Sequence, residues 1–268
     1  MSEERIRIDV TDHVATATMV RVDKHNALDR AMFDALHAAI DRLAAEPGVR
    51  CVVLRGEGPS FCSGLDIASF MAEGENGGAP TLLDGLDGDG AANYAQRVST
   101  GWGEVPVPVI AAVHGYCFGG GLQIALGADI RIAAPDATLS VMESRWGLIP
   151  DMGITRSLPR LVGIDVAKEL TFTARRIDGN EAAALGVVTR TADDPHAAAQ
   201  ELAAEIAGRS PDAVRGAKRL FDESWTGTAA DTLALEEQIQ RTLMGSPNQL
   251  AAVMAGMSKQ PAEFTDPG

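Results

Sequence analysis

Two short segments of the chain are almost wholly apolar and show no alternation: residues 50–55 and residues 107–113. A strand with one face in solvent alternates apolar and polar residues, whereas an unbroken apolar run suits burial on both faces. Helical stretches lie between these strands and can cover the sheet on each side. The pattern predicts an α/β architecture, and 268 residues accommodate one large domain with or without a small appendage.

An N-terminal hairpin and a first helix are predicted ahead of the first buried strand. Residues 6–10 and 14–19 alternate around Thr11-Asp12, which indicates a hairpin with one buried face. Asp29 can cap a helix that ends at Pro47-Gly48. Its apolar residues recur at helical spacing: Phe33, Leu36, Ile40 and Leu43.

The last third of the chain is predicted to be helical. The helix-like stretches are 195–207, 211–221, 233–243 and 247–257. Ser210-Pro211 and Ser246-Pro247 each resemble an N-cap followed by proline at the first helical position. We therefore expect a core over 1–206 and a helical subdomain over 207–268. The Gly- and Asp-rich segment 73–90 is predicted to be a surface excursion without calcium-loop spacing.

Charge and cysteine usage exclude several classes of function. The formal net charge is −14, which argues against nucleic acid or an anionic membrane as the main partner. No apolar run is long enough to cross a bilayer and no apolar signal segment opens the chain, so a cytoplasmic protein is expected. Cys51, Cys62 and Cys117 lack metal-site or disulfide spacing, so no metal is expected.

Two loops rich in small residues, 60–67 and 114–121, each follow a buried strand. The triplet Gly119 to Gly121 at a strand-to-helix junction leaves N–H groups free to hold an anion or a developing oxyanion. Close packing of helix on strand is an equally good explanation from spacing alone. The chain lacks GxxxxGK[ST], GxGxxG, GxSxG and HExxH motifs, which disfavours nucleotide-binding, serine-hydrolase and zinc-protease functions.

The order of these motifs along the chain resembles the enoyl-CoA hydratase/isomerase (crotonase) family over nearly its whole length. The matching segments are Asn26-Ala27-Leu28, residues 61–67, residues 108–115, the glycine triplet, residues 128–133, Gly147-Leu148-Ile149-Pro150 and residues 181–188. The combination is specific where no single motif is. The resemblance implies a spiral of ββα units whose C-terminal helices assemble homotrimers, often paired into hexamers.

The resemblance also implies an acyl-CoA thioester substrate, with CoA as part of the substrate and no separate cofactor. The thioester oxygen would lie between the main-chain N–H groups of Leu65 and Gly120, each contributing roughly 3–4 kcal/mol to the oxyanion. The expected substrate contacts are Ser63, Gly64, Leu65, Asp66, Ile67, Gly120 and Gln123. Some of the basic residues Arg21, Lys24, Lys218 and Lys259 are expected near the entrance, for the CoA phosphates.

Carboxylates at the site distinguish the activities of this family. Its hydratases use two glutamates, and the corresponding positions here are Gln123 and Glu143. An amide cannot act as a general base, so ordinary hydration should be weak. Asp151 resembles the acid of the dienoyl-CoA isomerase branch, although that branch usually carries a third acid where Gln123 stands. Glu143 and Asp151 are therefore the predicted catalytic residues of a 3,5-dienoyl-CoA to 2,4-dienoyl-CoA isomerase.

Several alternatives stay open at this point. A Δ3-Δ2 enoyl-CoA isomerase would need Glu143 alone, a hydratase of the same family would add water, and a non-catalytic acyl-CoA-binding paralogue would only grip thioesters. Purely structural roles are also open for both acids. Asp151 could cap a helix or pair with Arg145 or Arg156, and Glu143 could pair with an arginine at 145, 156 or 160.

Overall fold

The computed structural model describes residues 4–75, 82–83 and 92–266. The strands of these ranges are β1 (Ile6–Thr11), β2 (Val14–Met19), β3 (Cys51–Gly56), β4 (Val109–Val113), β5 (Tyr116–Phe118), β6 (Ile130–Ala133), β7 (Thr138–Ser140), β8 (Ile177–Asp178) and β9 (Arg190–Thr191). They form a six-stranded sheet in the order β1-β2-β3-β4-β6-β9 and a three-stranded sheet in the order β5-β7-β8. The large sheet is parallel except for the β1–β2 hairpin.

The helices of the same ranges are α1 (Arg30–Ala44), α2 (Ile67–Glu75), α3 (Tyr94–Thr100), α4 (Gly120–Leu126), α5 (Ile154–Leu161), α6 (Ile164–Thr173), α7 (Gly179–Leu185), α8 (Pro195–Ala207), α9 (Pro211–Ser224), α10 (Ala229–Leu243) and α11 (Pro247–Ser258). Successive turns of the chain send one strand to the large sheet and the next to the small sheet. The units β4-β5-α4 and β6-β7-α5 show this most clearly, so the predicted ββα spiral is confirmed.

The strands without alternation are buried on both faces, as the sequence predicts. One face of β3 and β4 contributes Val52, Leu54 and Ala111 to the main core, which α1 and α3 cover. The opposite face packs against α8, whose contacts are Ala199, Ala203 and Ala207. Alanine at these positions lets the helix approach the sheet closely, and the apolar burial stabilises both layers.

Local sequence signals set the ends of several elements. The side chain of Asp29 accepts a hydrogen bond from the Met32 N–H and caps α1, as predicted. Ser210 and Ser246 cap α9 and α11, each with proline at the start of the helix. Helix α10 begins at Ala229, four residues earlier than predicted, because Thr228 and Asp231 form a capping box there.

Polar contacts join the C-terminal helices and the tail after α11 to the core. Arg50 is buried and its guanidinium contacts Asp266 at 2.7 Å and the Phe264 carbonyl at 3.0 Å. Arg215 on α9 donates to the Val49 carbonyl at 3.3 Å. Most of the predicted excursion 73–90 lies outside the described residues. No helix within the described ranges is long and apolar enough to cross a bilayer.

Candidate active site

The two loops rich in small residues, 60–67 and 114–121, lie side by side. Cys62 and Cys117 form a parallel bridge, in which the Cys62 N–H donates to Tyr116 O at 3.0 Å and the Phe118 N–H donates to Cys62 O at 3.0 Å. Both thiols are fully buried, and burial raises the pKa of the Cys62 thiol to about 12. The cysteines therefore serve to pack the loops together.

The N–H groups of Leu65 and Gly120 are left without an acceptor among the described residues. Gly64, beside Leu65, has φ +90°, and a Cβ built on it would lie 2.8 Å from Phe118 O and 3.7 Å from Gly120 N. Only glycine fits there, which brings the two loops into contact at the Gly120 amide. Leu28 uses the neighbouring groups, because its N–H donates to Gly64 O and its carbonyl accepts from the Asp66 N–H.

The glycine triplet permits close approach of three neighbouring groups. A Cβ on Gly121 would lie 2.5 Å from Cys62 O, so this glycine permits close packing. A Cβ on Gly120 would lie 2.8 Å from Met152 Sδ and 2.9 Å from Leu28 Cδ1, and one on Gly119 would lie 3.4 Å from Glu143 Oε1. Leu28 and Met152 therefore form the walls beside the Gly120 amide.

Sequence reasoning gives no role to either of these wall residues. Leu28 could have been identified, because it belongs to the Asn26-Ala27-Leu28 motif. Nothing in the sequence around Met152 distinguishes that residue.

Glu143 begins a turn of 3₁₀-helix over Glu143–Trp146 and is only 9% exposed. Its Oε1 accepts a hydrogen bond from Gln123 Nε2 at 2.6 Å, while its buried Oε2 has no hydrogen-bond partner among the described residues. Burial raises the pKa of the Glu143 carboxyl, and the charge of Asp151 adds to that rise. The main-chain N–H groups of Glu143 and Met142 and the amide of Gln123 oppose it. A carboxyl with a raised pKa and a free oxygen is suited to carry a proton.

Gln123 occupies α4 and is 1% exposed. Its Nε2 donates to Glu143, and its Oε1 accepts from the Met152 N–H at 2.9 Å. The sequence predicts this side chain as a substrate contact. In the structure each end of the amide has a partner within the protein, and Met152 lies far from Gln123 in the chain. The role of Gln123 as a substrate contact stays a prediction.

Asp151 lies in an exposed loop that is anchored at its end by buried Met152. The charge of Asp151 raises the pKa of Glu143, so the two carboxyls lie within electrostatic reach of each other. Neither acid forms an ion pair among the described residues, which removes the arginine pairings considered from the sequence. Asp151 also does not cap α5, whose N-cap is Gly153.

The remaining predicted contacts line the loop that carries Leu65. Ser63 Oγ donates to Lys24 O at 3.3 Å, and Ile67 is the first residue of α2. Asp66 caps that helix through the Ser69 N–H and pairs with Arg21 at 2.9 Å. Burial alone would raise the pKa of Asp66, but these partners hold it below its ordinary value. Asp66 therefore stabilises the loop 60–67 through these contacts.

Two of the four basic residues considered for the entrance, Arg21 and Lys218, form ion pairs within the protein. Arg21 is 11% exposed and bridges Asp29 and Asp66. Lys218 is 6% exposed, pairs with Asp129 at 2.7 Å and donates to the carbonyls of Trp102 and Val107. These two side chains therefore already have charged partners within the protein, and the expectation that some of the four lie near the CoA phosphates stays a prediction. Lys24 and Lys259 are exposed.

Comparison with known proteins places this geometry in a family. The family model described as Enoyl-CoA hydratase/isomerase matches residues 9–267. The mouse protein named Methylglutaconyl-CoA hydratase, mitochondrial is 32% identical over 248 residues, covering 89% of this chain and 75% of the relative. The mouse protein named Delta(3,5)-Delta(2,4)-dienoyl-CoA isomerase, mitochondrial is also 32% identical, over 262 residues that cover 92% of this chain and 77% of the relative.

Solved structures agree with this result. The crystal structure of an enoyl-CoA hydratase from Bacillus anthracis matches with a TM-score of 0.87 and 30% identity, covering 97% of this chain and 99% of that one. The family match extends from the first hairpin to the last helix, through both glycine-rich loops and the turn that carries Glu143. The chain belongs to the enoyl-CoA hydratase/isomerase family and has its crotonase fold.

Proposed function

We propose that this protein is an acyl-CoA double-bond isomerase that converts 3,5-dienoyl-CoA to 2,4-dienoyl-CoA. The observation that carries the proposal is the buried Glu143 carboxylate, whose Oε2 has no hydrogen-bond partner within the described chain. Its neighbour at the other position of the hydratase pair is an amide, that of Gln123. An amide cannot take a proton from water, whereas a single buried carboxylate can move a proton on carbon. The site is thus better suited to isomerisation than to hydration.

The proposed reaction begins with the thioester oxygen accepting hydrogen bonds from the N–H groups of Leu65 and Gly120. One carboxylate removes a proton from C2, and the charge moves onto the thioester oxygen, where fixed main-chain dipoles stabilise it by roughly 3–4 kcal/mol per donor. The electron pair then spreads along the conjugated chain. The other carboxylic acid delivers a proton to C6, which completes the shift of both double bonds.

Two acids are required because C2 and C6 are too far apart for one carboxylate to serve both. Glu143 and Asp151 are the pair that we propose. The influence of Asp151 on the pKa of Glu143 supports their closeness, and the absence of ion pairs on either acid within the described residues leaves both available. The relatives do not choose between activities, since a hydratase and a dienoyl-CoA isomerase are each 32% identical to this chain.

A second candidate is Δ3-Δ2 isomerisation of an ordinary enoyl-CoA by Glu143 alone. The exposure of Asp151 favours this second candidate. Proton transfer is protected best where the site excludes water, and Asp151 is open to water. In this reaction Glu143 would move one proton from C2 to C4 of the same bound chain. Asp151 would then be dispensable.

The test is to incubate the purified protein with 3,5-dienoyl-CoA, 3-enoyl-CoA and 2-enoyl-CoA and to follow the absorbance of each. We expect turnover of the diene, and turnover of 3-enoyl-CoA alone would establish the second candidate. Rapid hydration of 2-enoyl-CoA without diene turnover would overturn both. Exchange of the C2 proton in deuterated water provides the control, because a protein that only binds thioesters would show none.

We also propose that the protein assembles as a homotrimer or a pair of trimers. Large apolar side chains are exposed on the last three helices, α9 to α11, among them Phe221, Leu233 and Met257 at 72%, 62% and 83%. Exposed apolar side chains grouped on consecutive helices are typical of an association surface. Light scattering coupled to size-exclusion chromatography would show a monomer if this proposal is wrong.

A further inference from the structure

The side chain of Gln123 is locked in one orientation by its two partners. The Met152 N–H can only donate a hydrogen bond, so the amide atom that faces it at 2.9 Å must be the oxygen. The nitrogen must then face Glu143, 2.6 Å from Oε1. The main chain of Gln123 is held equally firmly, since its N–H donates to Gly119 O and its carbonyl accepts from Ser99 Oγ and the Gly127 N–H.

This orientation has two consequences for the neighbouring acids. It occupies Oε1 of Glu143 and leaves Oε2 as the oxygen without a partner. It also ties Met152 to the same amide, and Met152 is the buried end of the otherwise exposed stretch that carries Asp151. One side chain therefore joins the turn of Glu143 to the loop of Asp151.

The geometry points to Gln123 as a positioning residue, which holds the Glu143 carboxyl by Oε1, fixes the loop of Asp151 and withholds a second base from water. This inference rests on the proposed role of Glu143 in proton transfer. Gln123 acts through Glu143 and Met152, which its side-chain amide contacts at 2.6 and 2.9 Å. A glutamate in its place would oppose Glu143 at 2.6 Å, and the two carboxyls would have to share a proton.

The charges around Glu143 allow a clean test of this inference. Asp151 is the charged residue that influences the Glu143 carboxyl, and no arginine or lysine pairs with that carboxyl within the described chain. The amide of Gln123 stabilises the ionised form of Glu143. Removal of the amide should therefore raise the pKa of Glu143, whether or not a substrate is turned over.

The experiment measures the pKa of Glu143 by carbon NMR of protein labelled at its glutamate carboxyl carbons, with Glu143→Gln identifying the signal. In Gln123→Met we expect that pKa to rise by about one unit. The acidic limb of the kcat profile for diene isomerisation should move by the same amount, and KM should change by less than about twofold. Gln240→Met, the same change on the exposed face of α10, is the control and should alter neither quantity.

Gln123→Glu keeps the shape of the side chain and serves if the methionine variant does not fold. In it we expect a larger rise in the Glu143 pKa, a slower isomerisation and the appearance of 2-enoyl-CoA hydration. An unchanged Glu143 pKa in either folded variant would overturn the positioning role. If the unaltered protein isomerises nothing while the pKa rises as expected, the proposed function fails and the contact between Gln123 and Glu143 stands.

Discussion

Glu143 and Asp151 lie eight residues apart in the chain, yet their surroundings differ sharply. Glu143 is buried, receives a hydrogen bond from Gln123 and keeps one oxygen without a partner. Asp151 is exposed, at the end of a loop in which Ile149 is 76% exposed. Burial makes the first carboxyl sensitive to every neighbouring group, while water screens the second. We therefore expect the inner acid, Glu143, to dominate the proton transfer and the outer acid, Asp151, to serve the far end of a long acyl chain.

The largest expected effect comes from removal of the inner acid. Glu143→Gln keeps the volume of the side chain and can still accept a hydrogen bond from Gln123, but it cannot carry a proton. We expect kcat/KM for the diene to fall by about 10²–10⁴-fold, with little change in thioester affinity. Stopped-flow absorbance and equilibrium binding of a saturated acyl-CoA would measure the two quantities. A loss of less than about threefold would show that Glu143 is not the base.

Removal of the outer acid should have a smaller effect that depends on the substrate. Asp151→Asn should lower diene isomerisation by about tenfold and leave C2 proton exchange of a saturated acyl-CoA nearly unchanged. The reason is that exchange needs one proton-transfer group, whereas the diene shift needs two. Parallel assays of both reactions with the same enzyme sample would measure this. Equal losses in the two reactions would break the proposed division between the acids.

Stability should move in the direction opposite to activity for the inner acid. Because the pKa of Glu143 is raised in the folded protein, the native state holds its proton to higher pH than the unfolded chain does. The burial penalty is therefore absent below the ordinary glutamate range and grows as pH rises through the raised pKa. Glu143→Gln should increase the free energy of unfolding by roughly 1 kcal/mol at pH 8, and much less at pH 4.

Urea denaturation at the two pH values would measure that gain, with Asp151→Asn as the exposed control. The control should change the free energy of unfolding by less than about 0.5 kcal/mol at either pH. A gain for Glu143→Gln that is equal at both pH values would contradict the burial of a charged Glu143.

The smallest effect is expected from the side chain of an oxyanion donor. Leu65→Ala retains the main-chain N–H, so kcat for the diene should change by about twofold or less. The same diene assay would measure it. A large loss would mean that the leucine side chain, rather than its amide, is what the site needs at this position.

Short-range patterns explain why much of the fold could be predicted. The unbroken apolar runs of β3 and β4, the Asp29 cap of α1 and the Ser-Pro starts of α9 and α11 are encoded within a few neighbouring residues. The two loops rich in small residues were also identifiable from the sequence. The structure explains one of these residues, because Gly64 has a positive φ and lies against Phe118 O.

Long-range pairings explain what could not be predicted. Gln123 meets Met152 across 29 residues, and Lys218 meets Asp129 across 89. Nothing near either residue in sequence announces its partner. Gln123 was expected to contact the substrate from its position in the family pattern, and Lys218 was one of four candidates for the CoA phosphates. The structure adds internal partners that the sequence does not indicate: Glu143 and Met152 for Gln123, and Asp129 for Lys218.

The N–H groups of Leu65 and Gly120 belong to the main chain, and this has an evolutionary consequence. Mutations can change the side chains around them without removing either N–H donor, provided that glycine is kept at positions 64 and 120. The proposed binding of the thioester oxygen would therefore withstand most substitutions, while the acids around it are free to diverge. A lineage built on this scaffold could exchange one reaction for another by altering one or two side chains, without having to rediscover how to hold its substrate.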